Sequence, residues 1–224
     1  MAALQITGDD GAALDWRNEL PLLATDRVFL RELRREDAAG LFRIVRMPQV
    51  SRYTWPPPAT VEHFERFIEW TWTERAAGTY ICFGIVPTGG RDASGLFELR
   101  QMQPGFLRAE LGFFMDPALW STGLFSRAAR SLLDFAFRVV GVHRIEARVA
   151  VENGRSNAAL EKLGAQKEGV LRAAFLRDGQ YVDQSLWALV STFYQINHDP
   201  TCSHISGRCE GSSDTIPQKP IIGV

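Results

Sequence analysis

The segment ALWSTGLFSRAARSLLDFAF, residues 118–137, runs a turn of small polar residues, Ser121-Thr122-Gly123, directly into an amphipathic helical pattern. Phe125, Ala128, Ala129, Leu132, Leu133, Ala136 and Val140 fall on one stripe, Arg127, Arg130, Asp134 and Arg138 lie opposite, and Gly141 stops the helix. The first N–H groups of a helix have no carbonyl partner within it, so such a turn is a place to hold an anion. Two small polar residues and a glycine that permits close approach suit a diphosphate. No Lys-Ser/Thr pair follows the glycine and the three-glycine dinucleotide fingerprint is missing. Taken alone, the stretch reads equally as a diphosphate cradle or as a strand-to-helix connection with Ser126 near the cap.

The flanks place this helix in a longer order. TDRVFLREL (25–33) reads as a strand, REDAAGLFRIVR (35–46) as a helix, and Thr60 as the N-cap of the helix VEHFERFIEWTWTERAAG after the prolines of SRYTWPPPAT. TYICFGIVP, SGLFELRQM and RAELGFFMDP then form an antiparallel meander ahead of the quoted helix. Beyond it come a strand, RIEARVAVE (144–152), a short helix, NGRSNAALEKLG, and a hairpin turning at Asp178-Gly179. The expected order is βααβββαβαββ, a mixed α/β domain over residues 23–195. It is preceded by an aperiodic N-terminal extension, 1–22, and followed by a flexible Ser/Gly/Pro-rich tail, 196–224.

With 224 residues, 46% of them hydrophobic, the chain can bury a full core. Lys and Arg number 25 against 26 Asp and Glu, so no overall positive field recruits nucleic acid or an acidic membrane. The start of the chain has acids where a signal peptide carries basic residues, and no run approaches the roughly 20 apolar residues of a membrane span. A cytoplasmic protein, monomeric or homodimeric, is expected. The three cysteines are too few and scattered for a disulfide framework, Cys82 reads as a core residue, and His198, Cys202, His204 and Cys209 of the tail have no metal-site spacing.

Three segments taken together resemble the GNAT superfamily of N-acetyltransferases, and most closely its RimJ/RimL-like branch of ribosomal-protein N-terminal acetyltransferases. They are TDRVFLRELRREDA, AELGFFMDPALWSTGLFSRA and VENGRSNAALEKLGAQKEGVLR, and the resemblance spans roughly residues 23 to 190. It implies a splayed, mostly antiparallel central sheet flanked by helices, with acetyl-CoA as co-substrate. The loop pattern Gln/Arg-x-x-Gly-x-Gly/Ala falls on Trp120 to Phe125, keeping only Gly123 strictly, with Phe125 where a small residue is usual.

By the same resemblance, Trp120, Ser121, Thr122, Gly123, Leu124, Phe125 and Ser126 would hold the diphosphate. Phe113, Phe114 and Met115 would line the pantetheine arm, and a backbone N–H near Phe114 would polarise the thioester. Asn153 and Asn157 would meet the arm from the far side, or serve only as a turn and a helix start. Transfer to an amine would be direct. Glu110 is the expected base, acting directly or through water, unless it only bonds a neighbouring strand; Glu98 and Asp183 are further candidates. The tyrosine acid of many superfamily members falls on Glu161 and a frequent acidic position of the branch on Ala174, leaving Ser156 as acid or as helix cap. Tyr53 and Trp55 would wall the acceptor pocket or pack the core. The acceptor is expected to be a primary amine, first a protein N-terminal α-amine; a small amine such as a polyamine, an aminoglycoside or an amino-acid derivative is the alternative, and a CoA-binding regulator without turnover a third reading.

Overall fold

Apolar residues alternating with polar ones, or running unbroken, produce nine strands among the described residues: β1 Gln5–Thr7, β2 Leu22–Ala24, β3 Val28–Glu32, β4 Tyr80–Pro87, β5 Gly95–Gln101, β6 Arg108–Met115, β7 Arg144–Ala150, β8 Gln166–Arg177 and β9 Gln180–Val190. In the computed structural model, which describes residues 5–7, 15–54, 56–192 and 194, they form one sheet in the order β1-β2-β3-β4-β5-β6-β7-β9-β8. Every neighbouring pair is antiparallel except β6 and β7. The helices are α1 Asp37–Val45, α2 Pro48–Ser51, α3 Val61–Ala76, α4 Leu124–Phe135 and α5 Gly154–Lys162.

Both faces of the sheet are covered. On one, α4 buries Leu124, Ala128, Ala129, Leu132 and Leu133 against Ile81, Phe83, Phe97, Leu111 and Ile145. This is the stripe read from the sequence, and a π-helical turn, Ala136–Val140, carries it to Gly141, whose φ of 82° makes the left-handed stop. On the other face, α1 and α3 pack Leu41, Ile44, Phe64 and Ile68 against Tyr80, Cys82, Leu96 and Phe114. Thr60 caps α3 as expected, its side chain accepting from the His63 N–H at 3.3 Å.

The parallel pair β6–β7 creates the feature that matters for function. Its register covers Arg108↔Arg144, Ala109↔Ile145 and Glu110↔Glu146, then stops, although β6 runs on to Met115 and β7 to Ala150. The two strands diverge from that point and leave a gap in the middle of the sheet. The Asp116 N–H bonds the Ser94 carbonyl on the β5 side, so strand alternation turns the peptide groups of Met115 and Phe113 toward the gap.

Three differences from the sequence reading have physical causes. The segment read as an N-terminal extension ending at residue 22 contributes to the packed body. Trp16 is buried edge-on against Phe106 with centroids 5.6 Å apart, Leu20 is buried, and the short β1 and β2 prolong the sheet. Arg75 locks this segment by donating to the Arg17 carbonyl while pairing with Glu32 at 2.5 Å. A single buried tryptophan in an aperiodic stretch leaves no periodic signal. The second difference is α2, four residues started by Pro48 at its first position, too short to show a period. The third is at α4, where Gly123 itself, with φ of 81°, is the cap in place of Ser126. The tail, 196–224, lies outside the described residues.

Candidate functional site

The turn and α4 set one wall of the gap. Trp120 donates its indole N–H to the Met115 carbonyl at 3.0 Å, fastening the loop to the end of β6. Ser121 and Gly123 both take positive φ, 63° and 81°, and the space where a Gly123 side chain would stand is open to 4 Å. The N–H groups of Ser121, Thr122 and Gly123 find no acceptor among the described residues. Those of Phe125 and Ser126 lie in the first turn of α4, ahead of any intrahelical carbonyl. The result is an open nest of N–H donors with room beside the glycine, which fits a diphosphate. Phe125 does not block it: the ring turns inward against Phe113 at 4.7 Å and Phe97 at 5.4 Å between centroids.

A cavity of about 570 Å³ runs along this wall beside the open end of β6. It is lined by Phe113, Phe114, Met115, Trp120, Ser121, Gly123, Phe125 and Ser126, by Asn153 and Ser156 from α5, and by Tyr53 after α2. These are residues named from the sequence. Arg52, Arg155 and Lys162 also line it and were not anticipated, because cavity-facing cations on a short helix or loop look like ordinary surface charge in the sequence. The Arg155 guanidinium lies 4.2 Å from the centre of the Trp120 ring.

Several expected site residues are occupied elsewhere. Asn157 donates to the Ala150 and Asn153 carbonyls at 3.0 and 2.8 Å and accepts from the Trp187 indole at 2.8 Å. It braces α5 to β7 and β9, and does not line the cavity. Asn153 caps α5 by accepting from the Ser156 N–H at 3.2 Å, so Ser156 is in the first turn rather than at the cap. Thr122 gives its hydroxyl to the Leu119 carbonyl at 2.6 Å and Leu124 packs in the core, so both support the turn from behind. Glu161 lies on α5 away from the cavity lining, and Trp55 lies outside the described residues.

Glu110, the expected base, sits at the last paired position of β6, buried, with its carboxylate 2.5 Å from the Arg100 guanidinium and 3.8 Å from that of Arg148. It does not line the cavity, and its two arginines hold β5, β6 and β7 together where the strands begin to part. On the same face, Glu98 is wholly buried and accepts from the Tyr80 hydroxyl. Burial pushes the Glu98 carboxyl up to about 8; the Tyr80 hydrogen bond and Arg100 oppose this, and neighbouring Glu110 adds to it. Gly112 makes room for it, since a Cβ there would stand 2.8 Å from the Glu98 Cγ and 2.9 Å from its Cδ.

A second cavity, of about 670 Å³, adjoins the first at Arg52 and Tyr53, which line both. Its other walls are Ala150 to Glu152 at the end of β7 and Phe175 to Asp183 of the β8–β9 hairpin. Tyr53 donates to the Glu152 carbonyl at 3.3 Å and Arg177 to the Thr54 carbonyl at 2.7 Å, so the loop after α2 is pinned to both strands. Asp183 was a minor candidate for acid-base work and lies in this second cavity, one oxygen accepting from the Ala173 N–H at 2.8 Å.

A splayed parallel pair, an N–H nest at a helix start and two cavities that share Arg52 and Tyr53 offer room for two ligands side by side. The model of the acetyltransferase (GNAT) domain matches residues 27–166. The chain belongs to the GNAT acetyltransferase family. It is 30% identical over 173 residues to the uncharacterized N-acetyltransferase YoaA of Bacillus subtilis, covering 76% of this chain and 97% of the relative. To the spermidine N(1)-acetyltransferase of Escherichia coli it is 30% identical, covering 69% and 81%. It is 26% identical to the [ribosomal protein uS5]-alanine N-acetyltransferase of the same bacterium, covering 79% and 95%. Among solved structures, Mycobacterium smegmatis RimJ in complex with CoA-disulfide superposes with a TM-score of 0.65 at 25% identity, covering 76% of this chain and 88% of that one. As a GNAT acetyltransferase the chain takes acetyl-CoA as its acetyl donor. No helix among the described residues is long and apolar enough to cross a membrane, and no three metal-ligating side chains gather there.

Proposed function

We propose that this GNAT acetyltransferase modifies a protein N-terminal α-amine, with the thioester lying in the β6–β7 gap and the peptide in the second cavity. The observation that carries the reading is that the two cavities share Arg52 and Tyr53 beside the gap. Acetyl-CoA supplies an acetyl group already activated as a thioester. The N–H nest at residues 121–126 holds the diphosphate, and the gap-facing peptide groups of Phe113 and Met115 bond the pantetheine amides as a neighbouring strand would. The peptide group of Phe114 faces β5, so the N–H expected near it to polarise the thioester would be that of a neighbour, Phe113 or Met115. The Ser156 hydroxyl, on the cavity wall in the first turn of α5, donates a hydrogen bond to the departing thiolate, and the proton released by the attacking amine converts that thiolate to the free thiol.

The charge of the second cavity favours an α-amine over a polycation. Its three acids outnumber its two arginines by one: Glu152 lies 4.0 Å from Arg52, Asp178 3.2 Å from Arg177, and Asp183 bonds the Ala173 N–H, a balance that suits a single ammonium rather than several. A polyamine would need carboxylates to spare, whereas a peptide brings one amine and several amide groups suited to Tyr53, Gln180 and Asp183. An α-amine of pKa about 8 is also partly neutral near neutral pH, so no strong base is required. The 30% identity to a spermidine acetyltransferase favours a small polyamine as the second reading.

Thiol release from acetyl-CoA, measured over short peptides with different first residues and over spermidine, tests the proposal. Acetylation of the peptides at the α-nitrogen, located by fragmentation mass spectrometry, is the expected result. Turnover with spermidine and none with any peptide would reject it. Gly123→Glu, which places a carboxylate in the nest, is expected to abolish turnover with every acceptor.

A further inference from the structure

Building on the reading of the first cavity as the acetyl-CoA site, we propose that Arg155, mounted on the Trp120 ring, and Lys162 form a phosphate clamp facing the 121–126 turn. The need for one follows from charge. The turn and the start of α4, Trp120 to Ser126, contain no basic residue. The first basic residue after them, Arg127, is turned away to Asp26 at 3.1 Å. Backbone N–H groups can orient a diphosphate, but neutralising its charge in a cleft takes cations.

The charged residues lining the first cavity are all basic: Arg52, Arg155 and Lys162. Arg52 leans toward Glu152 and the Tyr53 ring. Arg155 and Lys162 have no carboxylate within ion-pair distance among the described residues. They stand seven residues apart, two turns of α5, and so share a face. Stacking on the indole holds the Arg155 guanidinium as a flat fork, and the Trp120 bond to the Met115 carbonyl holds the indole. Trp120 thereby acts as a positioning residue, placing a cation from α5 against a loop that lacks its own.

Calorimetric titration with three probes tests this: acetyl-CoA, its 3′-dephospho form, and S-acetylpantetheine, which carries neither phosphate. Arg155→Ala is expected to weaken acetyl-CoA about tenfold, flatten the salt dependence of its Kd, and leave S-acetylpantetheine unchanged. Arg155→Lys, with equal charge but poorer stacking, is expected to lose part of the affinity, and Trp120→Leu to lose a similar part. Arg127→Ala, equal in charge change but directed at Asp26, is expected to have no such effect. A loss that persists with the 3′-dephospho form assigns the clamp to the diphosphate, and one that disappears assigns it to the ribose phosphate; either supports it. Unchanged acetyl-CoA binding by Arg155→Ala, equal weakening of both acetyl-CoA and S-acetylpantetheine, or an Arg127→Ala loss as large would overturn the clamp while leaving the cofactor site standing. Failure of the unaltered chain to bind acetyl-CoA would overturn both.

Discussion

Glu98 is a carboxyl with no exposure to water, one oxygen bonded by Tyr80 and the other without a hydrogen-bond partner among the described residues. Cys82 and Arg100 flank it on β4 and β5, and Glu110 faces it from β6. Its pKa stands at about 8 in the folded chain against an ordinary value of 4.5, so the folded state holds this proton more tightly than the unfolded one. The stability it contributes is full below the ordinary value, falls as pH rises toward about 8, and is level above that. Glu98→Gln keeps an acceptor for Tyr80 and removes the titration. The unfolding temperature of the variant is therefore expected to fall less than that of the unaltered chain across this window, and parallel curves would refute the assignment. Glu98 also illustrates what one residue's letter conceals. Glu110 drew the functional reading because it sits in an apolar strand, yet its partners, Arg100 and Arg148, come from strands on either side, and only the register reveals them. Asn157 misled for the same reason, since the Trp187 that it accepts from is 30 residues away.

At the scale of elements, the β5–β6 pair is fitted around that carboxyl. The register sets Glu98 opposite Gly112, and only the missing side chain lets the carboxyl lie across β6. Gly112→Ala is expected to lower stability by about 1–3 kcal/mol through overpacking. Glu98→Ala should relieve much of that cost in the double variant, a coupling measurable by urea unfolding; additive losses would mean that the two residues do not share the space. Elements with a strong period were legible beforehand: α4 with its apolar stripe, α3 with its threonine cap, and the β4–β5–β6 meander. The turn before α4 was legible because a glycine follows two small polar residues at the head of a strong helical period. The four-residue α2 and three-residue β1 and β2 are shorter than any period they could display.

At the scale of the whole molecule, the sheet has a core on each face, and the segment around Trp16 extends one of them well beyond the gap. Trp16→Ala is expected to cost about 3 kcal/mol or more from the lost contact with Phe106 and the cavity left behind. Because Trp16 lines neither cavity, the acetyl-CoA Kd should be unaltered at temperatures where the variant is folded. A change in Kd matching the loss of stability would show that the site depends on this segment. The burial of Trp16 could not be read from the sequence, since it is decided by a loop residue, Phe106, ninety positions away.

The wall that Arg52 and Tyr53 form between the two cavities also has a kinetic meaning. If each reactant takes its own chamber, as proposed above, neither has to leave before the other enters, and the reaction is expected to proceed through a complex containing both. Double-reciprocal plots at several fixed acceptor concentrations are therefore expected to intersect. Parallel lines would instead require the protein to carry the acetyl group between two half-reactions, a task for which Cys82, sealed in the core with its thiol pushed well up by burial, is badly placed.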